Sequence, residues 1–147
     1  MLELLRREFK VDLPVEDAWR HLAHVEQWPS WAKHIKRIDV QPYGELGRNS
    51  TGIIRLTNGI KSSFSMTEYN PYANWKWVGG FLWLTVHYDH RFEEVSPEQT
   101  RLIWVVEATG FGVSVFGQLF AKIYCKNLDR AIPLLIEDMN QARNERQ

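Results

Sequence analysis

The sequence predicts an α+β domain in which a curved, seven-stranded antiparallel sheet wraps around one long C-terminal helix, with two short helices between strands one and two. Three observations carry this expectation. Segments with strand-like alternation follow one another from residue 35 to residue 109, separated only by short turn signals such as Asn58-Gly59. From about Val113 the period becomes helical, with Phe116, Phe120, Ile123, Tyr124, Leu128, Ala131 and Leu135 forming one stripe. Finally, a flat sheet of seven strands would span roughly 29 Å, whereas a helix is only about 10–12 Å across. The sheet must therefore curl, and a cavity between sheet and helix is expected.

Residues 4–13 alternate, with Phe9, Val11 and Leu13 on one face, and read as the first strand, ended by Pro14. Val15, Ala18, Trp19 and Leu22 then fall at helical spacing, with Glu16 and Asp17 in the first turn where the helix dipole favours acids. Trp28-Pro29-Ser30-Trp31 starts a second short helix, Pro29 lying where a missing N–H costs nothing.

Strands follow at residues 35–43, 51–57, 60–69, 74–78, 81–95 and 100–109, the fifth meeting the sixth across Gly79-Gly80. On the sixth strand Leu82, Leu84, Val86, Tyr88, His90 and Phe92 form the face expected to point inward. Trp75 and Trp77 share a face on the fifth strand, and Leu102, Trp104, Val106 and Ala108 share one on the seventh, which is apolar on both sides. Pro133 inside the last helix is expected to bend it between residues 129 and 133. Residues 1–147 contain no repeat, linker or composition shift and are expected to form a single domain.

Composition narrows the function. Lys plus Arg and Asp plus Glu both total 18, so the broad positive footprint of a nucleic-acid binder is missing and no nucleic-acid partner is expected. The single cysteine, Cys125, cannot close an intramolecular disulfide, and the opening residues are too charged for a secretory signal, so a cytoplasmic protein is expected. The most apolar stretches, 79–86 and 111–123, are shorter than the roughly 20 residues that span a bilayer, so no transmembrane segment is expected.

In this arrangement the chain resembles the START-like or SRPBCC superfamily, in its polyketide cyclase/dehydrase and lipid-transport-like branch. The similarity lies in Val11-Asp12-Leu13-Pro14-Val15-Glu16-Asp17-Ala18-Trp19, Leu22, Glu26-Gln27-Trp28-Pro29-Ser30-Trp31, Glu68-Tyr69-Asn70-Pro71 and Thr100-Arg101-Leu102, followed by the final amphipathic helix. The resemblance implies the helix-grip fold and a cavity for a lipid, polyketide, isoprenoid or aromatic molecule, and in some members catalysis within that cavity. No catalytic set of a subfamily maps onto this sequence, so the catalytic residues are unknown.

Tyr88 and His90 are the polar candidates to orient a ligand carbonyl or hydroxyl. Phe64, Trp77, Trp104, Phe116 and Phe120 are the candidate apolar contacts, each of which could equally be plain core. No cofactor is expected. His87 and His90, an odd number of residues apart on a strand, point to opposite faces and cannot chelate one metal. Gly112 to Gly117 is one residue too long for a nucleophile elbow, and no histidine follows Ser114.

Three functions remain open. The leading one is a carrier or binding module for a hydrophobic small molecule. The second is a cyclase, dehydratase or hydrolase acting through Tyr88 and His90. The third is an interaction module whose interior is filled by side chains. Oligomeric state is not readable.

Overall fold

A computed structural model describes residues 1–81 and 83–146. The elements run β1 (Leu2–Val11), α1 (Val15–Ala23), a 3₁₀ helix (Val25–Ser30), β2 (Ile35–Gln41), β3 (Thr51–Leu56), β4 (Lys61–Asn70), β5 (Asn74–Phe81), β6 (Leu84–Ser96), β7 (Gln99–Thr109) and α2 (Val113–Arg146). All seven strands form one antiparallel sheet in the order β1-β7-β6-β5-β4-β3-β2. Consecutive strands from β2 to β7 are neighbours, and β1 closes the far edge against β7. The two short helices form the link between the two edge strands, β1 and β2.

Curvature has local causes. The register slips between Glu3 and Leu5, Ile35 and Arg37, Met66 and Glu68, and Glu94 and Ser96, and such bulges bend a strand and increase its twist. Gly52 lets β3 press inward: a Cβ there would lie 2.5 Å from both the Asp39 carbonyl oxygen and the Phe64 ring. At the mouth of α2 the chain passes Gly110 and Gly112 at φ +135° and +73°, a conformation suited to residues without a Cβ.

The predicted alternation places the core. Leu84, Val86, His90 and Phe92 of β6 and Leu102, Trp104, Val106 and Ala108 of β7 are buried, with Tyr88 half-buried. Ile103 and Val105 are buried as well, on the opposite face of β7. There they pair in register with Glu8, Arg91, Arg6 and Asp89, whose aliphatic stems can cover them. Asp89 is buried on that polar face, accepting hydrogen bonds from Asn74 Nδ2 (3.0 Å) and Arg91 Nε (2.7 Å).

Two details differ from the sequence-based expectation. Gly79 and Gly80 lie within β5, paired with Val86 and Thr85, so the turn comes later and Trp83 sits in it. Glycines without side chains are tolerated in a strand where the inner face is crowded: a Cβ on Gly79 would lie 2.9 Å from the Ser63 carbonyl. Ile123 is 53% exposed and leaves the buried stripe of α2, which runs instead through Phe120, Leu128, Ala131, Leu135 and Met139. Pro133 lies inside α2, as its place in the helical stripe leads one to expect. Leu82, expected on the inner face, lies outside the described residues.

The segment between β1 and β2 is held firmly. Trp19 of α1 packs edge-on to Trp75 (ring centroids 4.9 Å apart) and against Phe92 (5.0 Å). Trp28 donates its indole N–H to the Leu22 carbonyl at 2.9 Å. Thr100, fully buried, donates from Oγ1 to the Leu13 carbonyl at 2.7 Å and ties the start of β7 to the turn before α1.

Candidate functional site

Between the 3₁₀ helix, β6, β7 and α2 lies a partly open cavity of about 30 Å³. Its wall includes Trp28, Trp31 and His34 from the β1–β2 link, Tyr88 and His90 from β6, Trp104 and Val106 from β7, and Tyr124, Leu128 and Ala131 from α2. A water-sized group needs at least about 10–15 Å³ and two or more polar partners, so the space holds one or two such groups. Pockets for drug-sized ligands measure roughly 300–1,000 Å³, so an apolar molecule of that size requires side chains to move.

Aromatic rings occupy the rest. Trp28 packs on Trp31 (5.3 Å), Trp77 (5.6 Å) and His90 (6.0 Å), and Trp77 packs on Phe64 (4.5 Å). On α2, Phe120 stacks on Tyr124 at 5.2 Å, and Tyr124 faces Tyr88 at 5.8 Å.

Of the sequence-derived candidates, Tyr88, His90 and Trp104 meet at the cavity. Phe64 and Trp77 form a buried layer beside His90 and do not border the cavity, while Phe120 backs Tyr124. Phe116 lies further along α2, edge-on to Trp83 at 4.6 Å, at a half-exposed corner where the Trp83 indole donates to the Phe111 carbonyl. The residues that sequence reasoning does not single out as ligand contacts are Trp28, Trp31, His34 and Tyr124. Trp28 and Trp31 are visible there only as a helix start, and Tyr124 only as a member of the α2 stripe.

Two polar ring atoms at this cavity are buried without a hydrogen-bond partner among the described residues: His90 Nδ1 and Trp104 Nε1. Leaving a buried polar group unpaired costs about 1–3 kcal/mol, so such atoms mark places where a partner is wanted. Burial pushes the His90 pKa down to about 4, against smaller opposing effects of the Asp89 charge and a hydrogen bond to the Trp75 backbone. His90 is thus neutral at pH 7. On the neutral ring the unpartnered Nδ1 can accept a hydrogen bond when Nε2 carries the proton. Burial likewise raises the pKa of Tyr88 and Tyr124 and lowers that of His34, so every titratable ring at the cavity is held in its neutral form.

A surface groove of about 330 Å³ adjoins this cavity. Trp31, His34 and Ala131 border both, and Lys33, Thr57, Asn127, Arg130 and Leu134 complete the groove.

Residues 4–134 match the family model for polyketide cyclase/dehydrase and lipid transport. The chain belongs to that family. No curated protein matches it. Among solved structures, the di-domain ARO/CYC StfQ from the steffimycin biosynthetic pathway superposes with a TM-score of 0.75 at 15% identity, covering 98% of this chain and 52% of that one, about half the length of StfQ. A hypothetical protein from Helicobacter pylori gives a TM-score of 0.74 at 15% identity, over 91% of this chain and 86% of that one. A protein from Thermus thermophilus gives 0.69 at 15% identity, over 94% and 97%. At these identities the likeness is one of fold, and the fold is the helix grip. Among the described residues no helix is long and apolar enough to cross a membrane.

Proposed function

We propose that this chain binds an apolar small molecule carrying a hydroxyl group, with the apolar body between the sheet and α2 and the hydroxyl in the cavity beside Trp104 and His90. The observation that carries the reading is the pair of unpartnered ring atoms. Trp104 Nε1 can only donate, and the Nδ1 of a neutral His90 ring can accept. A hydroxyl oxygen can accept from the first and donate to the second, satisfying both at once, whereas a carbonyl satisfies only the donor. The family match and the aromatic wall support an apolar ligand body.

Opening the site means displacing side chains that now touch, chiefly Trp31 and Tyr124 at the cavity edge. Asp89, which also borders the cavity, has its carboxylate committed to Asn74 and Arg91, and among the described residues no hydrogen bond joins it to the His90 ring. A neutral, apolar-walled histidine without an acid partner suits hydrogen bonding better than proton transfer near neutral pH, and this favours binding over catalysis.

The test is a tryptophan-fluorescence titration with three ligands of one shape: 1-tetralol, 1-tetralone and tetralin. Each added hydrogen bond contributes a net of about 0.5–1.5 kcal/mol, so the alcohol should bind roughly threefold to tenfold more tightly than the ketone, and the hydrocarbon most weakly. Equal affinity for all three would overturn the reading.

A further inference from the structure

The groove that adjoins the cavity has a lining of one sign. Lys33 from the β1–β2 link and Arg130 from α2 both line it, together with His34, Thr57 and Asn127, and no carboxylate is in the wall. Neither cation takes part in an ion pair among the described residues: Lys33 Nζ donates only to the Ser30 carbonyl, at 2.7 Å. Two acids of α2 are engaged elsewhere, Asp129 with Arg7 at 3.1 Å and Asp138 with His21 at 2.8 Å, and Glu137, two turns beyond Arg130, does not line the groove. In a chain with no net charge, two cations without an ion pair in the wall of one groove are a local imbalance that an anion would correct.

Position gives the imbalance a purpose. Trp31, His34 and Ala131 are shared by groove and cavity, so the two spaces meet at a common wall. From this we infer that the groove is the entrance to the ligand site and holds the anionic end of an amphipathic ligand, a carboxylate or phosphate, between Lys33 and Arg130. The inference rests on the proposed binding site: the ligand class it names is an apolar acid whose body passes inward past Trp31. Asn127 supplies a neutral donor in the same wall, and Arg130 offers the planar fork that suits either anion.

The experiment compares decanoate, decyl phosphate and methyl decanoate on the whole chain by tryptophan fluorescence. The same titrations are run on R130E and K33A, whose side chains are exposed and whose folding is checked by far-ultraviolet circular dichroism. A partly exposed charge pair is worth a factor of about two to five, so two pairs should make at least one anion bind about fivefold or more tighter than the neutral ester. The stronger anion tells carboxylate from phosphate. R130E should abolish that preference while leaving methyl decanoate affinity within about twofold, and salt should weaken only the anions. Equal affinity for ester and anions, or an equal loss of all three in R130E, would overturn the anionic entrance while leaving the inner site standing. Failure of all three to bind would overturn the anionic entrance, and the inner site would stand or fall on the 1-tetralol titration.

Discussion

Acidifying the protein should expose how His90 is buried. Its pKa falls from an ordinary value of 6.5 to about 4 because the imidazolium would be desolvated among Trp75, Trp77 and Trp104. A group with a depressed folded pKa makes the unfolded chain bind the extra proton first, so stability is full above about pH 6.5 and is lost as pH falls towards 4. The shift of about 2.5 units at about 1.4 kcal/mol each corresponds to roughly 3 kcal/mol in full, and about 2.5 kcal/mol of it is gone by about pH 4.5. His34, also lowered by burial, acts in the same direction.

The measurement is urea unfolding of wild type and H90Q at about pH 7.5 and pH 4.5. Wild type should lose about 2.5 kcal/mol more than the variant between the two conditions, because glutamine has no proton to gain. Parallel losses in the two proteins would refute the assignment of acid sensitivity to this ring.

Other expectations follow from single contacts. Gly52→Ala should destabilise by about 1–3 kcal/mol or more in urea unfolding, since the new methyl meets the Asp39 backbone as well as the Phe64 ring, and backbone cannot turn aside. Thr100→Val keeps the shape but strands the buried Leu13 carbonyl, an expected loss of about 1–3 kcal/mol. Arg7→Ala removes an exposed tie from β1 to Asp129 of α2 and should shift stability by less than about 1 kcal/mol, a result that a thermal melt can check.

Much of the fold is legible because its signals are local. Alternation along β6 and β7 places Leu84, Val86, His90, Leu102 and Trp104 correctly, and Pro14, Asn58-Gly59 and Pro97 punctuate the strands where the chain turns. The candidate site is legible only in part. Comparing a wide sheet with one helix correctly demands something inside the curve, but it leaves out the β1–β2 link, whose Trp19, Trp28 and Trp31 fill the space from the side. Those rings follow a short helix and a 3₁₀ turn, where neither period announces which way a side chain faces. Trp83 and Ile123 illustrate the converse: apolar residues beside buried ones in sequence, yet exposed because the turn and the helix rotate them outward. The unpartnered state of Trp104 Nε1 and the neighbourhood of Lys33 and Arg130 are tertiary facts, set by residues far apart in the chain.

The most direct test of the proposed site reads the Trp104 indole itself. In a ¹⁵N–¹H spectrum of the indole region, with the Trp104 peak assigned by its absence in W104F, adding 1-tetralol should move that peak downfield more than any other, as its N–H acquires an acceptor. Tetralin should leave its hydrogen-bond shift unchanged. If 1-tetralol instead perturbs only the peak of exposed Trp83 and leaves Trp104 in place, the hydroxyl does not enter between Trp104 and His90, and the proposed site is contradicted.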